Sequence, residues 1–276
     1  MRVWIGTSGY SYQSWVGPFY PKGTRQPNML SVYSETFPLA ELNFTYYRLP
    51  TPEMLARQVE RAPAGFQFLV KFPKTISHDE KDTELDAFHQ AVSVMKASNS
   101  LLGVLLQMPQ AAHQTKKRWR WLDFLFDRMA DLPLAVEFRH HSWFEDSVNE
   151  RLTRSKVDLV AVDVPDLPDL YPRAFVQTTP RVYIRLHSRK AENWYLSDQD
   201  RYDYFYSDDE MLGWARDLIA VEQQTRQAFV LFNNCHHAQA AANAKRFKEL
   251  LSTLSTSVEI VEPFAHAAPK QRLLFE

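Results

Sequence analysis

LAVEFRHHSW, residues 134–143, is the stretch from which the fold can be read. With a period of two, Leu134, Val136 and Phe138 point one way and Ala135, Glu137 and Arg139 the other. One parity is oily. The other ends in opposite charges, followed at once by His140, His141, Ser142 and Trp143. A surface strand puts its charges in water, but here a small residue precedes the charged pair, as in a buried parallel strand whose last inward residues reach a functional mouth. The competing reading is a strand-end salt bridge that only fixes the loop. One strand does not separate these readings, but the pattern recurs along the chain.

Working outward, further strands are expected at residues 3–7, 39–43, 66–71, 103–107, 159–163, 181–187 and 229–233. Between them apolar residues fall at helical spacing, as with Leu85, Phe88, Val92 and Met95, or Trp119, Leu122, Leu125 and Phe126. Thr51-Pro52-Glu53 is a helix start, with Thr as cap and Pro in the first turn. Other helices are expected at 29–36, 144–155, 208–223 and 239–254, and the element after the sixth strand is short. Eight strand-then-helix units in about 260 residues predict an α/β fold, a single TIM-type (β/α)8 barrel of parallel strands with its site at the C-terminal strand ends. Residues 1–276 then form one barrel domain, with 255–276 a C-terminal extension packing on the barrel or on a partner. An open doubly wound sheet is the alternative, but no Gly-rich phosphate fingerprint accompanies it.

Composition bounds the function. With 45% hydrophobic and 24% charged residues in 276, the chain has material for one large core. Its 32 Lys and Arg against 33 Asp and Glu leave a net charge of −1, so any anion site must be local. The single Cys235 excludes an internal disulfide and a thiolate metal cluster, and reads as a small buried hydrophobe rather than a nucleophile. The start, MRVWIGTSG, is too short for a signal peptide and there is no run of about 18 apolar residues, so a cytoplasmic location and no membrane partner are expected. KKRWRW at residues 116–121 has the composition of a nucleic-acid patch, but helical spacing favours a basic face with core tryptophans.

In a barrel, the inward residues at the C-terminal strand ends share one mouth. Those expected there are Glu41, Asn43, Lys71, Gln107, Glu137, Arg139, Asp163, Arg185, His187 and Asn233. A plug of structural salt bridges is the bland reading. Polar residues at nearly every strand end, with two long loops able to cover them, favour a site. Arg139 and Arg185 offer planar forks for phosphate or carboxylate, and Lys71 a point charge. Glu41, Glu137 and Asp163 include candidates for general acid and base, and His187 titrates near neutrality when unperturbed. Carboxylates across a glycosidic bond would equally serve sugar chemistry, with loop aromatics as platforms. Divalent metal is compatible with ligands such as His187, Asp163, Glu137, Glu41 and His78 or His140, but no HExxH or paired-Cys spacing indicates it, so no cofactor is assigned.

The segments IGTSGYSYQSW, ELNFTYYRLP, FLVKFPKTISH, LLQMP, EFRHHSW, YIRLHS and LFNNCHHAQAAANA, in this order, resemble those of the YecE-like family, a domain of unknown function. The resemblance covers Ile5 to Ala244 and implies a TIM-type barrel whose blocks form one pocket at the strand ends. It supplies no reaction. The family's pattern falls on Thr7, Ser8, Tyr12 and Trp143, and so adds them as substrate-binding candidates to Asn43, Lys71, Gln107, Arg139, Asp163, Arg185 and Asn233. Tyr10 stands where Trp is common in the family, and Ser188 where Gly often follows the histidine.

The expected function is therefore a hydrolase-like enzyme whose partner is an anionic small molecule or nucleic-acid fragment, with Glu41, Glu137 and His187 catalytic. The alternatives are a glycosidase-like enzyme on a neutral sugar and a non-catalytic nucleic-acid or metabolite-binding protein.

Overall fold

Strand-forming runs separated by amphipathic helices assemble here as a closed ring. The computed structural model describes residues 1–192, 194–195 and 201–264. Among these, eight parallel strands form the barrel: β1 (Arg2–Ser8), β2 (Leu39–Leu42), β3 (Gln67–Lys71), β4 (Leu101–Gln107), β5 (Leu134–Glu137), β6 (Asp158–Asp163), β7 (Arg181–Leu186) and β8 (Gln227–Phe232). Neighbours follow chain order, and β1 pairs with both β8 and β2, which closes the ring. Closure needs no exposed sheet edge, and β6, DLVAVD, is buried along its whole length.

The outer helices turn their apolar stripes to the strands. Leu85, Phe88, Ala91, Val92 and Met95 are the buried side of Leu85–Ala97. Trp119, Leu122, Leu125 and Phe126 are that of Lys116–Arg128, with Trp119 edge-on to Trp143 at 5.2 Å. The KKRWRW segment thus gives its first tryptophan to the core, while Arg118 pairs with Glu80 at 2.6 Å. Helix starts follow the local chemistry: the Thr51 and Thr115 hydroxyls accept from the amides of Met54 and Arg118, and Ser207 with Glu210 forms a capping box on Asp208–Ala220. No described helix is long and apolar enough to cross a membrane.

Residues 164–180, between β6 and β7, hold no helix. Prolines 165, 168, 172 and 180 forbid one. Thr178 anchors the segment instead, its hydroxyl donating to the Val157 carbonyl (2.7 Å) and accepting from the Leu159 amide (2.9 Å). At the other end of the chain, a ninth strand, β9 (Glu259–Ile260), pairs with the start of β1. Phe264 then lies 6.2 Å from the Trp4 ring and against Gly65, whose φ of +92° and lack of a side chain admit it. This part of the C-terminal extension packs on the barrel; residues 265–276 lie outside the described residues.

Register settles which residues face inward. Tyr183 of β7 reaches across the barrel to Glu41 of β2, so Tyr183 and Arg185 are inward. β6 pairs with β7 as Val160 with Tyr183 and Val162 with Arg185, which puts Val160 and Val162 inward and Asp163, opposite Leu186, outward. The expected parity of this strand is therefore reversed. Both faces of a buried parallel strand are apolar, so its sequence carries no parity signal, and a shift of one residue exchanges the faces.

Candidate functional site

The C-terminal strand ends and their loops enclose a cavity of about 710 Å³. Of the expected residues, Tyr12, Glu41, Asn43, Lys71, Gln107, Arg139, Arg185 and Asn233 line it. At its floor Arg185, 1% exposed, holds two glutamates that are fully buried. Its Nη2 donates to Glu41 Oε1 at 2.6 Å and to Ser8 Oγ at 3.2 Å, and its Nη1 to Glu137 Oε2 at 2.5 Å. The remaining oxygens are also taken, Glu41 Oε2 by the Tyr183 hydroxyl and Glu137 Oε1 by Arg139 Nε. Burial alone would raise the Glu137 pKa, but Arg139 and Arg185 outweigh it and hold the carboxyl well below the usual carboxylate range.

His187 stands behind Arg139. Its ring accepts from Arg139 Nη2 (3.1 Å) and contacts Asn233 Nδ2 (2.8 Å), and it is wholly buried. Burial and the adjacent guanidinium push its pKa down to about 3, so it is a neutral brace and not part of the cavity wall. Trp143 is likewise behind the wall, stacked on Phe138 with centroids 4.2 Å apart and donating its indole N–H to the Ala112 carbonyl (2.5 Å). Thr7 faces the helix Met29–Ser34, bonded to the Tyr33 hydroxyl at 2.9 Å. The Ser8 carbonyl receives the Tyr12 hydroxyl at 2.7 Å.

Asp163, expected in the mouth, is outside it. Its carboxylate is gripped by Arg189 (Nε–Oδ1 2.9 Å, Nη2–Oδ2 2.8 Å) and by the Trp214 indole N–H. It ties β6 to the helix Asp208–Ala220 and cannot touch a ligand in the cavity. This corrects the expectation, and the reversed parity of β6 is the reason.

Lys71 differs from the arginines. Nζ donates to Gln107 Oε1 at 2.6 Å and sits 4.1 Å above the Tyr46 ring. Burial, then Arg185, push its pKa down to about 7, against the pull of Glu41 and Glu137. The Tyr46 hydroxyl meets His78 Nε2 at 3.2 Å, and His78 Nδ1 meets Ser77 Oγ at 2.9 Å. Burial and Lys71 take His78 down to about 4, so it too is neutral. Thr45 draws the loop after β2 onto β3 by donating to the Lys71 carbonyl at 2.6 Å.

Sequence reasoning passed over Phe44, Tyr46, Gln110 and Arg201, which also line the cavity. The signal was available for the first two: FTYY follows Asn43 directly at a strand's C-terminal end, where barrel loops carry function, and forms the short helix Phe44–Tyr47. Asn43 lines the cavity, and its Oδ1 is buried with no partner among the described residues. The central donors suit no metal, because guanidiniums occupy both carboxylates. Among the described residues, the group with ligand atoms within 4.8 Å of one another is His140, His141 and Asp169, outside the cavity wall.

Known proteins share this architecture. The crystal structure of a DUF72 family protein from Thermotoga maritima superposes with a TM-score of 0.85 at 33% identity, covering 91% of this chain and 100% of that one. One from Enterococcus faecalis gives 0.82 at 25% identity, over 91% and 95% of the two chains. The UPF0759 protein YunF of Bacillus subtilis is 29% identical over 99% of this chain and 100% of its own length. The UPF0759 protein YecE of Escherichia coli is 27% identical over 58% of this chain and 59% of its own. The family described as "Protein of unknown function DUF72" matches residues 4–270, and the chain belongs to it.

Proposed function

We propose that this barrel is an enzyme acting on a small anionic substrate, phosphorylated or carboxylated, bound at the strand ends. The observation that carries the reading is the cationic lining of the cavity. Among the described residues, Lys71, Arg139 and Arg185 line it against one carboxylate, Glu41, in a chain whose net charge is −1. Counting Glu137 behind the wall leaves Lys71, when protonated, as the excess cation, and a low-dielectric cleft strengthens the attraction for an anion. The volume suits a substrate the size of a nucleotide or sugar phosphate. Asn43 and Gln107 line the cavity with side-chain amides, and the Tyr46, Trp194 and Tyr202 rings offer apolar faces.

The roles differ from those expected from sequence. Arg185 has both Nη atoms on glutamates, so Arg139 is the guanidinium of the cavity wall that meets the anion. Glu41 and Glu137 hold arginines in place, and Lys71, titrating near neutrality, is the group suited to proton transfer. Hydrolysis by a glutamate pair loses support on this ground.

A glycosidase-like reading gains from one observation, that Arg139 and Arg185 are tied in ion pairs. It loses more, because a glycosidase needs one carboxyl kept protonated, and Arg139 and Arg185 hold Glu137 in the opposite state.

The test is a thermal-shift panel of inorganic phosphate, nucleotides, short single-stranded DNA, sugar phosphates and neutral sugars. A phosphorylated ligand at about 100 times its dissociation constant adds roughly 2.7 kcal/mol of stability to wild type, and clearly less to Arg139→Gln. A shift by neutral sugars alone would overturn the anion reading.

A further inference from the structure

We propose that Lys71 is a covalent catalytic group whose ε-amine condenses with the carbonyl of an anionic aldehyde or ketone to form an imine. The proposal rests on the reading of the cavity as an anion site and adds the reactive group of the substrate.

An amine acts as a nucleophile only when it is unprotonated, and a lysine is kept so by burial or by neighbouring cations. Both conditions meet at Lys71. Its side chain is 8% exposed, at the end of β3, and no carboxylate oxygen among the described residues comes within 4.0 Å of Nζ. The two glutamates of the floor are committed elsewhere, each being paired with a guanidinium. A carboxylate partner would lock the ammonium form. Gln107 Oε1, the acceptor actually present at 2.6 Å, bonds amine and ammonium alike. It holds one N–H and leaves the other directions of the nitrogen for the cavity that both residues line. The Tyr46 ring face, 4.1 Å away, favours the charged form and so opposes part of the burial effect, which suits a group that must titrate near neutrality.

The step balances without an oxidant or reductant. The Nζ lone pair attacks the carbonyl carbon, the C=O π electrons move to oxygen, and a proton passes from nitrogen to that oxygen, giving a carbinolamine. Uptake of one proton and loss of water then give the protonated imine. Its positive nitrogen draws electrons from the neighbouring carbon, which is the usual prelude to proton abstraction or carbon–carbon cleavage beside a carbonyl. The anionic end of the substrate is left for Arg139.

The test uses pyridoxal 5′-phosphate and uncharged pyridoxal as probes on the full chain, trapped with cyanoborohydride and located by peptide mapping. At pH 7.5 Lys71 should be labelled by the phosphorylated probe roughly several hundred-fold faster than surface lysines, given its larger unprotonated fraction. The rate should rise through pH 7 rather than pH 10, and inorganic phosphate should slow it. Label spread over surface lysines, or a midpoint near pH 10, would overturn the proposal. If phosphate raises the melting temperature while Lys71 stays unlabelled, the anion site stands and the imine falls. If both probes label Lys71 equally and phosphate gives no protection, the amine is nucleophilic but the anionic substrate class is overturned. Because the mapping reads the native protein, no outcome depends on whether a Lys71 variant folds.

Discussion

Replacing Arg185 by Met removes the cation that joins two fully buried glutamates. Arg185 is 1% exposed, and its Nη atoms hold Glu41 at 2.6 Å and Glu137 at 2.5 Å. Breaking such a network by taking one partner away costs about 3–5 kcal/mol, because the remaining charges are buried without compensation. For a chain of this size that corresponds to a fall in melting temperature of roughly 10 °C. The pH dependence carries the sharper signature. In the wild type the Glu137 carboxyl is depressed in the folded state, so its contribution is fully present above the unfolded value of about 4.3 and is lost as pH falls through the lower folded value. In Arg185→Met the two carboxylates lack their common cation, so the folded state gains by taking up a proton, and the deficit against wild type shrinks from pH 7 to pH 5. Urea denaturation followed by tryptophan fluorescence at both pH values measures this, and Glu41→Gln added to Arg185→Met should recover part of the loss at pH 7. A deficit below about 1 kcal/mol, or one equal at the two pH values, would refute the reasoning.

Lys71→Met should stabilise the protein: the folded pKa of about 7 lies below the unfolded value, so the penalty is full below pH 7 and vanishes above about pH 10.4. The gain is expected to be on the order of 4–5 kcal/mol at pH 6 and to shrink towards pH 10, as read by denaturant titration. Asp163→Asn should lower the melting temperature through weaker bonds to Arg189 and Trp214, at a cost of about 2 kcal/mol, yet leave the shift produced by phosphate unchanged. Burial pushes the Cys235 thiol up to about 12, so its reaction with a disulfide reagent at pH 8 should be far slower in the native protein than in urea.

Much of the site was legible in the sequence. Alternation at Glu137 and Arg139, at Tyr183 and Arg185, and at Leu69 and Lys71 placed these groups at the mouth, because polar side chains on one parity of an apolar strand mark its inward end. Asp163 was misplaced because DLVAVD has no polar alternation to set its parity, and only hydrogen bonding to β7 does so. Tyr46 and His78 come from loops after β2 and β3, and their meeting at 3.2 Å depends on loop paths that no periodicity encodes.

The sequence by itself determined the barrel, since strand and helix periods and the chemistry of helix caps are local properties of the chain. It also determined that Glu41, Lys71, Glu137, Arg139 and Arg185 gather at the strand ends, though not that Asp163 turns away from them. Tertiary structure alone decided what each does. Whether Arg185 meets a substrate or two glutamates, whether His187 is a base or a neutral brace, and whether Lys71 keeps its proton depend on burial and on charges many residues away in sequence. Those terms act through space between groups that only barrel closure brings together.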